Sequence, residues 1–186
     1  MIVNSEEGKN KFGEFWWALK SEWFKVEVLQ DYTGIDNGNS LRAWLAGDRE
    51  TAIALVVDEN KEWAKMSSAK PNIRKVRFHI VENPYTPYLE WEIEACYKHS
   101  NIPKAKEDVY LIEKNEVFDL DLPDGDFSIF DSERVVKFIY DVAKGVSTAA
   151  EVYDHGDDIG RFLRVRDALL KFKDDAHRVK APQFID

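Results

Sequence analysis

Two stretches between residues 74 and 95, in which apolar and polar side chains alternate, constrain the fold of this chain more than any other feature. The first reads RKVRFHIV and the second reads YLEWEIEA, and the segment Asn83-Pro84-Tyr85-Thr86 lies between them. A period of two residues is typical of strands that bury one face, and an Asn-Pro pair favours a turn. The pattern therefore predicts a β-hairpin.

A turn centred between Pro84 and Tyr85 sets the register of this predicted hairpin. The apolar pairs across it are Val76 with Ile93, Phe78 with Trp91 and Ile80 with Leu89, and the charged pairs are Lys75 with Glu94, Arg77 with Glu92 and His79 with Glu90. Each opposite-charge pair would contribute about 0.2–1 kcal/mol. We therefore predict that these glutamates form a solvated face. A catalytic role is the alternative, and it would require a cleft and perturbed pKa values.

The rest of the chain predicts further strands and several helices. Helices are indicated at residues 10–20, 41–46, 48–69 and 159–179, and strands at 24–30, 109–113, 127–131, 134–140 and 146–153. The later strands are joined by connections too short for a parallel crossover, which implies antiparallel pairing. The fold class is therefore α+β, a mainly antiparallel β-sheet with N-terminal helices and a C-terminal helix packed on it, in a single domain over residues 1–186.

Charge and cysteine content narrow the class of protein. The net charge is −9, with most of the acidic excess between residues 107 and 158, so direct nucleic-acid binding, which needs clustered cations, is not expected. No run of about 18 apolar residues or secretory leader is present, which predicts that the chain does not enter a membrane. The single cysteine, Cys96, suits a reducing compartment. We therefore expect a cytoplasmic protein.

Recognised catalytic and metal-binding motifs are absent from the sequence. Five aspartates fall between residues 119 and 131, but Pro123 interrupts them and their spacing is not that of an EF-hand loop. The segment from Tyr153 to Asp158 contains one histidine among three carboxylates and is interpreted as a polar turn before the last helix. Glycine-rich phosphate loops, nucleophile elbows and zinc-protease motifs are missing as well. We predict no metal site and no cofactor, and the residues leave open whether the chain catalyses a reaction.

Two groups of residues indicate surfaces for binding partners. Near the N-terminus, four large rings within nine residues exceed what one short helix and one strand bury, so Trp17 and Trp23 are predicted anchors for a protein partner. The predicted last helix carries six basic residues interrupted by three aspartates. Such mixed charge is typical of a solvated helix face, and DNA binding is the alternative.

Six segments, taken in order, resemble the bacterial domain-of-unknown-function family 6879. They are WFKVE (23–27), LRAWLAG (41–47), RFHIVENPYTPYLEWE (77–92), EDVYLI (107–112), LPDGDFSIFD (122–131) and RFLRVRDAL (161–169). The family often has Gly at the position of Lys106 and Arg at the position of His79. The resemblance implies no established catalytic activity, and it implies a companion of helix-turn-helix regulators.

The resemblance also identifies candidate ligand-binding residues, which are the polar positions that match the family pattern. They are Arg77, Tyr88, Glu107, Asp108, Asp126 and Asp131. Turn chemistry and cross-strand pairing are the alternative explanation for these residues. The leading functional prediction is a regulatory or interaction module without its own catalysis. The competing prediction is a small-molecule or nucleotide-binding protein, or an enzyme, in which Arg77, Glu107, Asp126 and Asp131 converge in one cleft.

Overall fold

The computed structural model describes residues 1–34, 38–141, 146–174 and 177–182, and in these residues seven strands form one sheet. The strands are β1 (Ile2–Asn4), β2 (Glu22–Glu27), β3 (Arg74–Val81), β4 (Asp108–Glu113), β5 (Phe127–Phe130), β6 (Arg134–Asp141) and β7 (Val146–Tyr153). Their order is β1-β7-β6-β5-β2-β3-β4. The pairs β2–β3 and β3–β4 are parallel, and the others are antiparallel. The predicted α+β class with a mainly antiparallel sheet is confirmed.

The helices cover both faces of the sheet. They are α1 (Ser5–Ala18), α2 (Asn39–Leu45), α3 (Arg49–Glu59), α4 (Lys61–Ser68), α5 (Pro87–Trp91), a π-helix (Glu92–Asn101), α6 (Gly160–Leu169) and two short 3₁₀ turns (Lys114–Val117 and Leu170–Phe172). Asn4 caps α1 by accepting from the Glu7 amide, and Asp48 caps α3 by accepting from the Thr51 amide. Within the described residues, none of these helices is both long and apolar enough to cross a membrane.

Side chains alternate in direction along the strands, so each face of the sheet packs against its own set of helices. On the α6 face, Phe24 and Phe78 pack with Phe162 and Leu169 in one apolar cluster. The opposite face, the α1 face, is covered by α1 over β6 and β7 and by α2, α3, α5 and the π-helix over β3 and β4. Gly8 allows α1 to approach closely, because a Cβ there would lie 2.5 Å from the Cβ of Ala150.

The predicted hairpin between residues 74 and 95 is wrong. The first stretch is a strand, β3, but it lies between β2 and β4 and is parallel to both. The second stretch is helical, because Pro87 occupies its first turn and the Thr86 hydroxyl accepts from the Leu89 amide at 3.1 Å. The predicted charge pairs across the hairpin therefore do not form.

The expected solvated face is correspondingly divided. Glu90 and Glu94 are exposed, and Glu94 pairs with Lys98 at 2.7 Å. Glu92 is only 8% exposed, and the polar side chains of β3 opposite it are buried as well. A strand with parallel neighbours on both sides is covered on both faces, so the polar residues of β3 face a second packed layer rather than water.

The other sequence predictions mostly hold. The helix expected at 48–69 is broken at Asn60, between α3 and α4. The connection between β5 and β6 is a tight turn, with Asp131 and Ser132 both at positive φ (53° and 60°), as in a hairpin turn of the primed type. The last helix is shorter than predicted and ends at Leu169, before a 3₁₀ turn. Residues 175–176 of the predicted helix lie outside the described residues.

Candidate ligand-binding pocket

A cavity of about 380 Å³ lies in the α1 face of the sheet, above β2, β3, β5 and β6. Helix α1 and α4 border it on one side, and α5 with the π-helix borders it on the other. Its walls carry many aromatic rings, and these are Phe12, Trp23, Tyr32, Trp63, Tyr88, Trp91, Tyr97, Phe127, Phe138 and Tyr140. Its charged lining residues are Lys25, Glu27, Arg77, Glu92 and Asp126. The cavity therefore combines apolar walls with a concentration of ionisable groups.

Arg77 is the centre of the charged network in the floor of this pocket. This residue is 6% exposed, and its guanidinium donates from Nε to Glu107 Oε2 at 2.7 Å and from Nη1 to Glu27 Oε1 at 2.8 Å. Burial alone would lower the pKa of Arg77, but the carboxylates of Glu107 and Glu27 outweigh burial and hold that pKa well above its usual value. Trp63 donates its indole N–H to Glu107 Oε1 at 2.6 Å. Arg77 is thus fixed as a permanent cation between two acids.

Glu27, at the end of β2, is held as an anion. Burial alone would raise the pKa of Glu27, but the positive charges of Arg77 and Lys25 outweigh burial and bring that pKa well below its usual range. Lys25 donates to Glu27 Oε1, and the Tyr97 hydroxyl donates to Glu27 Oε2 at 2.9 Å. Glu27 therefore presents a negative charge at the inner end of the pocket.

Glu92 has the opposite environment. Burial, followed by the nearby charge of Glu27, raises the pKa of Glu92 well above its usual value. Its Oε2 atom is buried without a hydrogen-bond partner among the described residues, and it lies 3.4 Å from Nδ1 of His79. Buried polar atoms without a partner are uncommon in native proteins. Glu92 Oε2 is thus one of the buried pocket atoms without a hydrogen-bond partner among the described residues, together with the indole nitrogens of Trp23 and Trp91.

His79 is fully buried beside Glu92. Its Nε2 lies 2.8 Å from the carbonyl oxygen of Leu29, and because a carbonyl can only accept, the ring proton is on Nε2. Burial lowers the pKa of His79, so the ring is neutral and Nδ1 carries a lone pair. Nδ1 faces the Tyr97 hydroxyl at 2.8 Å.

Asp126 lines the far side of the pocket, immediately before β5. It accepts from the Val28 amide at 3.0 Å and from the hydroxyls of Tyr32 at 2.6 Å and Tyr140 at 3.3 Å. Burial and then the charge of Glu27 raise the pKa of Asp126. Its carboxyl therefore connects two pocket tyrosines to the backbone at the end of β2.

The structure brings four of the six predicted ligand-binding residues together. Arg77, Tyr88 and Asp126 line the pocket, and Glu107 binds Arg77 from behind. Asp131 lies elsewhere and accepts from three backbone amides, Lys20, Ser21 and Glu22, so its role is to hold a turn. Asp108 lies at the surface in ion pairs with Arg178 and Lys173. Arg77 and Asp126 therefore line one cleft, Glu107 is joined to it through Arg77, and Asp131 lies outside it.

The two tryptophans predicted as partner anchors differ in exposure. Trp17 is 60% exposed, near the end of α1, where Lys70 lies over its ring. Trp23 is 1% exposed and lines the pocket. The prediction of a surface anchor is wrong for Trp23, because inward-facing positions of β2 are covered by α1 and α4.

Sequence reasoning missed Glu27, His79, Glu92 and Tyr97 as site residues. The π-helix explains part of the failure, since hydrogen bonds from residue i+5 to residue i, such as Ile102 N to Tyr97 O at 3.0 Å, place every fifth side chain on one face. The pocket residues of this segment follow that spacing: they are Trp91, Cys96 and Asn101, together with Glu92 and Tyr97. A search for a period of five, rather than two or 3.6, could have found them.

Comparison with solved structures shows a distant likeness. The fold is similar to that of an archaeal chromatin protein, TrmBL2, described as showing a novel mode of DNA binding, with 13% identity and a TM-score of 0.47. The match covers 96% of this chain and 52% of the other, so this chain spans about half of that protein's length. That protein is described as binding DNA, which stands against the predicted absence of direct nucleic-acid contact, and that prediction is not kept. At that TM-score the likeness carries nothing further about what this chain binds.

Comparison with protein families covers most of the chain. Among curated proteins, no sequence matches it. The family described as "Domain of unknown function (DUF6879)" matches residues 10–175, which include every lining residue of the pocket. The chain therefore belongs to the DUF6879 family.

Proposed function

We propose that this chain is a small-molecule-binding protein whose ligand occupies the pocket above β2, β3, β5 and β6. The observation that carries the proposal is the convergence of five ionisable side chains on one aromatic-walled cavity of about 380 Å³. Ligand pockets typically enclose about 300–1,000 Å³ and combine apolar walls with a few placed polar groups. The volume supports a ligand of the size of a small metabolite.

Stability is a poor explanation for the charged floor of the pocket. Replacement of a buried ion pair by apolar groups is often neutral or stabilising by about 1–4 kcal/mol. The pairs Arg77–Glu27 and Arg77–Glu107 are both buried, at 2.8 and 2.7 Å. Perturbed groups gathered in a cleft are characteristic of functional sites. Recognition of a ligand would explain why these charges are buried here, whereas packing does not.

The lining chemistry selects the class of ligand. Three acids, Glu27, Glu92 and Asp126, line the pocket against two bases, Lys25 and Arg77, and Glu107 already binds Arg77. Carboxyl oxygens in excess favour a ligand with several N–H or O–H donors and disfavour phosphate esters. The ring faces favour a flat, apolar or cationic part. We therefore propose a neutral or cationic metabolite, and the nucleotide alternative is not retained.

The regulatory role implied by the family resemblance stays a prediction, as does a cytoplasmic location. A metabolite pocket gives the regulatory prediction a chemical form, because a regulator that responds to a metabolite needs a site of this kind.

A ligand screen on metal-free protein tests the proposal. We would measure thermal shifts with amines, sugars and nucleosides and with the matched phosphate esters, because a ligand at 100 times its Kd stabilises by about 2.7 kcal/mol. Hits should be confined to the neutral and cationic compounds. Asp126→Asn should abolish the shift, whereas Asp121→Asn, at an exposed position on the preceding loop, should not. Hits confined to phosphate esters, or hits unchanged by Asp126→Asn, would contradict the proposal.

A further inference from the structure

Three metal-ligating side chains from three different elements meet at the inner end of the pocket. Glu27 ends β2, His79 is in β3 and Glu92 begins the π-helix, and one ligand atom of each lies within 4.8 Å of the other two. All three side chains are buried, and His79 is 0% exposed. We propose that Glu27, His79 and Glu92 bind a divalent transition-metal ion.

The orientation of His79 meets the first requirement of such a site. A metal-ligating imidazole donates its other ring N–H to a carbonyl or carboxylate, which fixes the ring and its tautomer. His79 does so through Nε2 and the Leu29 carbonyl at 2.8 Å. The lone pair of Nδ1 is thereby directed toward Glu92 and Glu27 rather than toward the backbone.

The second requirement is that two donor atoms lie at a separation that one ion can bridge, and His79 and Glu92 meet it. Two donor atoms that each lie about 2.1 Å from one ion, at a tetrahedral angle, are about 3.4 Å apart. Nδ1 of His79 and Oε2 of Glu92 are 3.4 Å apart. Oε2 is also the buried atom that lacks a hydrogen-bond partner among the described residues. An ion between these two atoms would provide the missing partner.

Glu27 completes the set through its second oxygen. Arg77 and Lys25 both donate to Oε1, which leaves Oε2 for the ion. The Tyr97 hydroxyl lies between the two ligands, 2.9 Å from Glu27 Oε2 and 2.8 Å from His79 Nδ1. The hydroxyl has a single proton and can donate to only one of these two atoms at a time, so an ion would compete with it for one lone pair and take the other without competition.

The donor set indicates the kind of ion. One imidazole with two carboxylates suits zinc, manganese, iron(II) or cobalt, whereas magnesium and calcium prefer all-oxygen sites. Three protein ligands leave a coordination position open for water or for a further molecule. Glu27 and Glu92 also line the pocket, so the ion site adjoins it, but the inference does not depend on the proposed organic ligand, because all three ligands belong to the protein.

Titration calorimetry of the chelator-treated full chain tests this inference, with Zn²⁺, Mn²⁺, Co²⁺ and Mg²⁺ added separately and no organic ligand present. We expect one site per chain for at least one of the first three ions and no site for Mg²⁺. The Co²⁺ complex should show visible ligand-field absorption, which reports its coordination. Tyr97→Phe removes the competing hydroxyl and should bind at least as tightly as the wild type.

A pair of glutamate variants locates the ion. Glu92→Gln should weaken its binding at least tenfold, whereas Glu94→Gln, two residues further along the same helix and exposed, should bind like the wild type. Binding that is equal in wild type and Glu92→Gln would place the ion elsewhere, for example at the surface cluster of His177, Asp174 and Glu116, and would overturn the inference. So would the absence of binding by Zn²⁺, Mn²⁺ and Co²⁺. If no metal ion binds but metabolites still shift the thermal transition, the metal inference fails and the proposed function is retained.

Discussion

Asp126 and Asp131 lie at the two ends of β5, and the contrast between them shows what decides the role of a buried aspartate. Asp126 lies near Glu27, and its partners include two tyrosine hydroxyls in the pocket. Asp131 receives the amides of Lys20, Ser21 and Glu22. Burial acts on both, but it raises the pKa of Asp126, whereas hydrogen bonds from Ser21 and the backbone outweigh it and lower the pKa of Asp131. The charges and hydrogen-bond donors around each carboxylate, rather than burial alone, distinguish the aspartate of the pocket from the aspartate of the turn.

The largest expected difference between the two ends is in stability at neutral pH. Asp131→Asn removes a charge that accepts three backbone N–H bonds, and hydrogen bonds to charged groups contribute about 1.5–3 kcal/mol each. We expect a loss of about 2 kcal/mol in the free energy of unfolding, measured by urea denaturation. Asp126→Asn should cost less than half as much, because burial and the charge of Glu27 already disfavour the charged form of this carboxyl, and the neutral amide avoids both penalties. Equal losses of unfolding free energy in the two variants would contradict the different roles assigned to Asp126 and Asp131.

A smaller effect, with opposite signs at the two ends, is expected in the pH dependence of stability. For Asp131 the folded pKa is depressed, so its contribution is present above the unfolded pKa, about 3.9, and is lost as pH falls through the folded pKa. For Asp126 the folded pKa is raised, so wild type loses stability relative to Asp126→Asn as pH rises from about 3.9 through that folded pKa. Urea midpoints of wild type and each Asn variant between about pH 3 and 7 measure both trends. Parallel trends would contradict the assignment.

The smallest effect is expected for Asp108, the third aspartate predicted to bind a ligand. Its ion pairs with Arg178 and Lys173 lie at the surface, where such pairs contribute about 0–1 kcal/mol. Asp108→Asn should therefore change the free energy of unfolding by less than about 1 kcal/mol and leave the ligand-induced thermal shift unchanged. A variant that binds ligand more weakly would extend the functional region beyond the pocket.

The alternating patterns predicted β3 and the polar identity of one of its faces, but they could not predict what covers that face. Arg77 and His79 were correctly placed on the same side of a strand, and the error was to assign that side to water. The covering layer comes from residues 87–101, whose own alternation imitates a strand. The helix-start signal, Thr86 followed by Pro87, was present and was outweighed by the apparent register of charges.

Other positions were predictable in part. Lys106 has a positive φ of 62°, a backbone conformation that suits the glycine which the family resemblance implies at this position. The convergence of Arg77, Glu107 and Asp126 followed from residues that match one family pattern, but no pattern in the sequence relates Glu27 to Glu92. These two residues approach each other only because β2 pairs with β3 and the π-helix packs above both. Such contacts depend on tertiary packing, which local periodicity does not encode.

The five-residue repeat of the π-helix affects how this family can vary. A substitution at Trp91, Cys96 or Asn101 changes one part of the pocket wall and leaves the others in place. A deletion of one residue between Glu92 and Asn101 would restore bonding from residue i+4 to residue i and rotate every later side chain away from its neighbour on the wall. We therefore expect the length of this segment to be inherited unchanged in relatives.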